Sequence, residues 1–205
     1  MKRPLRRYAA IAMGVLICVG GSDAQSIKFY SSLVEDKHGA FYVFSSDQEA
    51  FTVKVEADSV WPTGAKGTVI ADKNILQARA IPLSSTIDTS YEKLRDLLID
   101  HMTSELEYIK ESYKQDISNA RSEFLSIKGK TFLFWEYDMP KESESVLSQQ
   151  YLTTNCFDQI LVLNAPVDKT QNRSSVKQFL LSTAGTIRLY NRPIEPEEFH
   201  KQLMK

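Results

Sequence analysis

The sequence predicts an α+β fold in which an antiparallel sheet carries helices on both of its faces, an α/β/α sandwich. Strand-like segments cluster in two groups instead of alternating singly with helices. A long segment with helical periodicity separates the two groups. Two segments of the second group, 130–139 and 160–163, are apolar on both faces, which is typical of interior strands that are covered on both sides.

The first group of strands lies before residue 82. Its clearest member is 51–56, where apolar and polar side chains alternate as in a strand with one face in water. Residues 61–67 are rich in turn formers and are predicted to be a turn or loop, and 72–74 are predicted to close a hairpin. The predicted strands of this group are 27–31, 40–45, 51–56, 68–71 and 75–81.

A long amphipathic helix is expected next, because apolar residues recur at three- and four-residue spacings from Tyr91 to Ile117. Charged residues occupy much of the opposite face. Thr89 and Glu92 have the spacing of a capping box, in which the threonine hydroxyl accepts from a free amide and the glutamate reaches back. The helix is therefore predicted to begin just after Thr89.

The second group opens with a hairpin, 122–128 and 130–139, that turns at Gly129. The segment 147–153 is more polar and is expected between turns or near a sheet edge. A helix is then predicted from Ser175, which forms a second capping box with Gln178, and its apolar stripe runs either to residue 187 or only to Gly185.

A short terminal helix is expected from Pro196 to about Leu203, because proline suits the first helical turn.

Residues 1–24 have the composition of a secretory signal peptide. A basic start precedes an apolar run over 9–19, which is shorter than the roughly 20 residues that a bilayer span requires. Ser22 and Ala24 fit a small-x-small cleavage site, so we expect export to a periplasm or beyond the cell and cleavage near Ala24. Residues 25–205 would then be a single α+β domain. Two alternatives stay open: an uncleaved N-terminal membrane anchor, and lipidation of Cys18, although Ile17 before it is unusual for a lipobox.

Charge and cysteine content narrow the function classes. Removal of residues 1–24 leaves 21 basic and 25 acidic side chains, a net charge of −4. Such a surface argues against a general nucleic-acid binder, which concentrates positive charge. Cys156 would be the remaining cysteine, so no intramolecular disulfide is possible, and no nucleophile signature surrounds it. It is therefore predicted to be a buried, unreactive thiol.

The order of elements resembles that of the PsbP-like fold, which is shared by thylakoid-lumen photosystem proteins, a nuclear Ran-binding protein and bacterial envelope proteins. The resemblance would cover nearly all of 25–205. It depends on the following features: 51–56 before Trp61-Pro62, the long helix from Tyr91, the 130–140 strand with Trp135, the 149–163 hairpin, and the closing helix with residues 186–189. It implies an α/β/α sandwich with adaptor or assembly roles and no catalysis. No motif allows binding residues to be transferred.

Candidate catalytic and metal-binding residues have simpler interpretations. His38, His101 and His200 belong to no HxH, HxxxH or HExxH arrangement, so solvated or helix-surface histidines are expected. Glu136 and Asp138 lie two residues apart on one predicted strand and point the same way. A hydrolase could use such a pair in a cleft. The apolar start of this strand instead indicates a strand end that meets water.

Other motifs are equally weak. Residues 64–68 lack the spacing of a phosphate-binding P-loop, and no GxSxG nucleophile elbow occurs. Trp61 and Trp135 could line a ligand groove but are expected in the core. The sequon at Asn172 matters only in a host that glycosylates exported proteins.

These observations predict an exported, non-catalytic binding or assembly protein that contacts a protein partner in the cell envelope or outside the cell. The sequence assigns it no catalytic, cofactor-binding or metal-binding residue and no cofactor, and it predicts neither nucleic-acid binding nor a transmembrane span after leader removal. Two alternatives remain. One is an envelope hydrolase that assembles Glu136, Asp138 and His101 in three dimensions. The other is a small-ligand carrier, which would need a sizeable apolar pocket.

Overall fold

The structure is a computed structural model that describes residues 29–83, 91–114, 117, 119–140, 143 and 145–205. The predicted signal peptide (1–24), Cys18 within it, and the predicted helix cap at Thr89 lie outside the described residues. None of the helices in the described ranges combines the length and the apolar character that crossing a membrane requires.

The described residues form a mixed α+β fold with antiparallel sheets, as the sequence predicts. In chain order the elements are β1 (Tyr30–Asp36), β2 (Gly39–Ser45), β3 (Ala50–Glu56), β4 (Val60–Pro62), β5 (Thr68–Ala71), β6 (Asn74–Pro82), α1 (Tyr91–Tyr113), β7 (Arg121–Ile127), β8 (Lys130–Asp138), β9 (Val146–Cys156), β10 (Gln159–Asp168), α2 (Arg173–Ala184), β11 (Arg188–Tyr190) and α3 (Pro196–Leu203).

The strands form two sheets, whereas the sequence predicts one. The small sheet has the order β1-β2-β3-β11, and the large sheet has the order β4-β5-β6-β10-β9-β8-β7. Every strand pair is antiparallel. The first strand group was expected to join the second, but β1, β2 and β3 instead pair among themselves and stack on the large sheet.

The main core lies between the two sheets. Phe44, Phe51 and Val53 of the small sheet pack in one cluster with Leu161 and Leu163 of the large sheet. Helix α2 completes this layer beside the small sheet through its buried Val176, Leu180 and Ala184. The small sheet and α2 thus share one face of the large sheet.

Helix α1 covers the opposite face of the large sheet. Its buried Leu94, Leu98 and Ile109 pack with the odd-numbered residues of β8, including Trp135, and with Tyr151 of β9. The rings of Trp135 and Tyr151 are stacked with centroids 3.8 Å apart. Alternate residues of β8 therefore pack in two separate cores, one under α1 and one between the two sheets. This explains why the sequence of the strand is apolar on both faces.

Helix α3 packs on the outer face of the small sheet. Phe199 meets Phe41 of β2 edge-on, with ring centroids 5.2 Å apart. Val34, Val43, Ala50 and Ile194 are the buried residues of this third cluster.

The prediction for 147–153 is wrong, because β9 lies between β8 and β10 inside the large sheet. Four of its polar side chains, Ser148, Gln150, Thr153 and Thr154, are buried, and the two threonines bond to the neighbouring backbone. Thr153 Oγ1 donates to the carbonyl of Leu133 at 3.2 Å, and Thr154 Oγ1 donates to that of Thr131 at 2.7 Å. A polar composition can therefore belong to an interior strand when the hydroxyls find carbonyl partners.

Several predicted boundaries also differ. Residues 61–67 contain the end of a short strand, β4, and residues 188–190 form β11 instead of continuing a helix. Helix α2 ends at Ala184 with Gly185 as its cap, which was one of the two predicted endings. Its N-terminal cap is Asn172, whose Oδ1 accepts from the Ser174 amide at 2.8 Å, and not Ser175. Helix α1 ends at Tyr113, so the buried Ile117 lies beyond it.

Candidate functional site

A charged groove of about 240 Å³ lies between β7, at the edge of the large sheet, and the N-terminal half of α2. Strand β8 forms its floor. In the register of β7 and β8, Arg121 is opposite Glu136 and Glu123 is opposite Phe134. Because side chains alternate across a strand, these four residues project from the same face of the sheet, which is the face that α2 covers.

Glu136 is the centre of the groove. Its side chain is only 12% exposed, accepts a hydrogen bond from Gln150 Nε2 at 2.9 Å and forms an ion pair with Arg121 Nη2 at 2.9 Å. Arg173 Nη1 lies 3.7 Å from the same carboxylate. Three elements, β7, β9 and α2, thus converge on one carboxylate of β8.

Two further ion pairs fasten α2 to the sheet. Arg173 Nη2 donates to Asp138 Oδ1, and Lys177 Nζ pairs with Glu123 Oε1. The Lys177 ammonium also lies 4.5 Å from the ring centroid of Phe134, within the range of a cation–π contact. The groove lining therefore holds three cations and two carboxylates, and Asp138 beside the groove supplies a third carboxylate through its pair with Arg173.

The first turn of α2 shows why these ion pairs matter. It contains Arg173 and no acidic residue. A cation at a helix N-terminus opposes the helix dipole, which costs up to about 1 kcal/mol at an exposed site. The carboxylates of Glu136 and Asp138 offset that cost and fix where the helix begins over the sheet.

Two buried polar atoms of the groove have no hydrogen-bond partner among the described residues: Gln150 Oε1 and Arg173 Nη1. Gln150 is 1% exposed, and both hydrogens of its amide group are directed to Glu136 and to the Arg173 carbonyl. Gln150 Oε1 is thus an acceptor without a donor, and Arg173 Nη1 is held only by its 3.7 Å ion-pair contact with Glu136. Neither atom is exposed to solvent, so a ligand with an adjacent donor and acceptor, as in a peptide group, reaches both only when a neighbouring side chain moves aside.

The structure separates the three residues of the hydrolase hypothesis. Glu136 lies in the groove and Asp138 lies beside it on the α2 face of the large sheet, where arginines pair with both. His101 lies on α1, on the opposite face. These side chains share no cleft, so the hydrolase that was built on them is ruled out.

His101 belongs to a small polar cluster beneath α1. Burial lowers the pKa of His101, the nearby Glu105 raises it, and Arg79 of β6 lowers it further. Arg79 Nη2 pairs with Glu105 Oε2 at 3.4 Å. The Nε2 atom of His101 is buried without a partner among the described residues. The prediction of a solvated or helix-surface histidine is wrong here, because this side of α1 faces the sheet.

The other two histidines lie far apart in the fold. His38 lies in the turn between β1 and β2, and His200 lies on α3 with its Nδ1 atom 3.2 Å from the carbonyl oxygen of Glu35. Across the part of the chain that the structure describes, no group of three or more His, Cys, Asp or Glu side chains could hold a metal ion.

The remaining candidates divide between core and surface. Cys156 is buried, as predicted, and burial raises the pKa of its thiol to about 12. Trp135 is a core residue, as predicted, whereas Trp61 is 65% exposed on β4, contrary to the prediction. Asn172 is exposed but serves as the cap of α2. The groove itself is charged, unlike the apolar cavity that a small-ligand carrier needs.

Sequence reasoning missed Arg121, Gln150, Arg173 and Lys177. One signal was available, since a basic residue at the start of a helix without an acidic neighbour indicates a carboxylate partner elsewhere. The pairing of β7 with β8, which brings Arg121 to Glu136, also follows from the hairpin at Gly129. Nothing in the sequence identifies Gln150, because its role depends on the interior position of β9.

No family model matches the chain, and no curated protein matches it. One solved structure that is similar is the solution structure of cyanobacterial PsbP from Synechocystis sp. PCC 6803. The match has 15% sequence identity and a TM-score of 0.43, and it covers 87% of this chain and 99% of that chain. This similarity is to a protein of the PsbP-like fold, which is the resemblance that the order of elements in the sequence predicts. At this identity and TM-score it carries no information about activity or partners.

Proposed function

We propose that the chain is an exported, non-catalytic binding or assembly protein of the cell envelope or the extracellular space. Residues 1–24 would be a cleaved signal peptide, and residues 25–205 a single α/β/α domain. The composition of 1–24 supports export to a periplasm or beyond the cell. The partner would be a protein that contacts the groove between β7 and α2.

The observation that carries this proposal is the pair of buried polar atoms in the groove that make no hydrogen bond. Gln150 Oε1 and Arg173 Nη1 are buried without hydrogen-bond partners among the described residues, and such atoms cost free energy until they are satisfied. A main-chain peptide group of a partner offers both a donor and an acceptor. The carboxylates of the groove are already paired with cations, so they support binding more than acid–base chemistry.

Export is tested by the mass of the protein isolated from its native compartment. We expect an N-terminus at Gln25 in the envelope or secreted fraction. Intact Met1 in the cytosol would contradict export. A mass increase on a fragment that begins at Cys18 would instead show the lipid-anchored alternative.

Binding is tested by cross-linked capture from the native envelope with two matched arginine variants. Arg173→Ala removes the groove donor, whereas Arg188→Ala removes an exposed arginine of β11. We expect one defined partner to be captured by the wild type and by Arg188→Ala, and to be lost with Arg173→Ala. Equal capture by both variants would contradict the groove as the binding surface, provided that both are folded by circular dichroism.

A further inference from the structure

Within the described residues the two sheets have four edge strands, and three of these are protected against pairing with another strand. Strands β4 and β11 have only three residues each, and β4 ends in Pro62. Strand β1 is covered at one end by α3, where His200 lies against the Glu35 carbonyl. Short length, proline and cover by a helix are the usual ways in which proteins prevent an edge from pairing with another chain.

Strand β7 is different. It is seven residues long, pairs with β8 without a bulge, and has no strand on its other side among the described residues. Its first three residues are exposed. It therefore offers a regular row of backbone donors and acceptors for a further strand.

The hairpin turn shows which groups face outward. Lys128 and Gly129 both have positive φ, 51° and 79°, as in the two-residue type I′ turn. In such a hairpin the closing pair, Ile127 and Lys130, is hydrogen-bonded, and bonded pairs then alternate along the ladder. Odd-numbered residues of β7 thus bond to β8. The amides and carbonyls of Ser122, Phe124 and Ser126 point away from the sheet.

Charge selects how a second copy of β7 would pair with the first. Because outward groups belong to even-numbered residues, an antiparallel pair can be centred on residue 122, 123 or 124. A centre at 123 places Glu123 against Glu123 of the second copy, which is unfavourable. A centre at 124 places Arg121 against Ile127 of the second copy. A centre at Ser122 places Arg121 of each copy opposite Glu123 of the other, which gives two pairs of opposite charge.

We propose that two copies of this chain pair through β7 across a twofold axis at Ser122, which joins their large sheets into one. The interface is self-complementary, as a twofold dimer requires. It is smaller than a standard interface of roughly 1,200–2,000 Å², so its population depends on protein concentration. The axis runs perpendicular to the sheet, and the two grooves lie on the same face of the joined sheet.

The dimer is independent of the proposed binding function, since a monomer could also use its groove. Its first test is a pair of cysteine variants, Ser122→Cys and Ser126→Cys. Both positions are exposed, face outward and share one side of β7. The native Cys156 is buried and does not interfere.

At the proposed axis the two Ser122 Cα atoms lie about 5.5 Å apart, as in a hydrogen-bonded pair, which suits a disulfide. The two residues at position 126 lie far apart. We therefore expect at least tenfold faster covalent dimerisation of Ser122→Cys than of Ser126→Cys under mild oxidation. Equal rates would overturn the proposal, because random collision treats both positions alike.

The second test uses sedimentation equilibrium over a wide range of protein concentration. We expect the wild type and Ser122→Ala to show the same monomer–dimer equilibrium, and Ser122→Pro, which lacks the outward amide, to remain monomeric. A monomeric wild type at every concentration would overturn the dimer. If the wild type were monomeric and captured an envelope partner that Ser122→Pro did not capture, a strand of that partner would pair with β7 instead of a second copy. The cysteine test does not depend on whether Ser122→Pro folds.

Discussion

The role of Glu136 gives a quantitative test of the groove. Replacement of Glu136 by alanine removes the acceptor of the Gln150 amide and the counter-ion of two arginines. A hydrogen bond to a charged group contributes about 1.5–3 kcal/mol. We assign about 2 kcal/mol to the buried bond from Gln150.

The arginine contributions are smaller. Arg121 is 63% exposed, so its ion pair contributes at most about 1 kcal/mol. The Arg173 contact is too long for a hydrogen bond, and Asp138 also holds this arginine. The expected loss for Glu136→Ala is therefore about 3 kcal/mol, and Glu136→Gln, which keeps an acceptor, is expected to lose about 1 kcal/mol.

Urea unfolding followed by circular dichroism measures both losses. With a slope of about 2 kcal/mol/M, the midpoint of Glu136→Ala is expected to fall by about 1.5 M. Glu56→Ala is the control, because that side chain is 71% exposed and its midpoint is expected to move little. If Glu136→Ala unfolds at the same urea concentration as Glu56→Ala, then Glu136 does not hold α2 on the sheet.

Three further measurements address other parts of the molecule. Leu98→Ala leaves a cavity at a buried site under α1 and is expected to lower the free energy of unfolding in urea by about 3 kcal/mol. Ile99→Ala, at the next residue but on the exposed side of α1, should lower it by less than about 1 kcal/mol. Similar losses would mean that α1 is misplaced. Burial lowers the pKa of His101 in the folded state, so the unfolded chain binds the proton at a higher pH than the folded chain does. The free energy of unfolding is therefore expected to decrease as the pH falls below about 6.5. His101→Gln should reduce that decrease in unfolding experiments from about pH 8 to about pH 5. The Cys156 thiol is expected to react with a disulfide reagent only after unfolding; rapid labelling of the native protein would contradict its burial.

Local patterns predicted most elements of this fold. Alternation located β3, helical periodicity located α1, and the hairpin around Gly129 gave β7 and β8. The division of the strands into two sheets was not predictable in this way. The one-sided alternation of β3 is the same whether the strand extends a large sheet or belongs to a second sheet that stacks on it. Pairing between strands distant in the chain depends on tertiary packing that no single segment encodes.

The candidate site was less predictable than the fold. Glu136 and Asp138 were recognised as a pair with a common direction, and that direction is correct. Their arginine partner Arg173 comes from a helix that begins 35 residues after Asp138, and only the register of α2 over the sheet brings them together. His101 was expected on the solvent side of α1 but lies on the side that faces the sheet. The sequence did not show this, because charged residues occur on both faces of the helix.

The positions of the two tryptophans give the protein two optical probes with opposite surroundings. Trp61 projects into solvent at the end of the large sheet, and Trp135 is enclosed and stacked on a tyrosine beneath α1. A water-soluble quencher will reach the first indole and spare the second. Fluorescence can therefore follow events at the sheet edge and the integrity of the α1 layer within one sample, without any label.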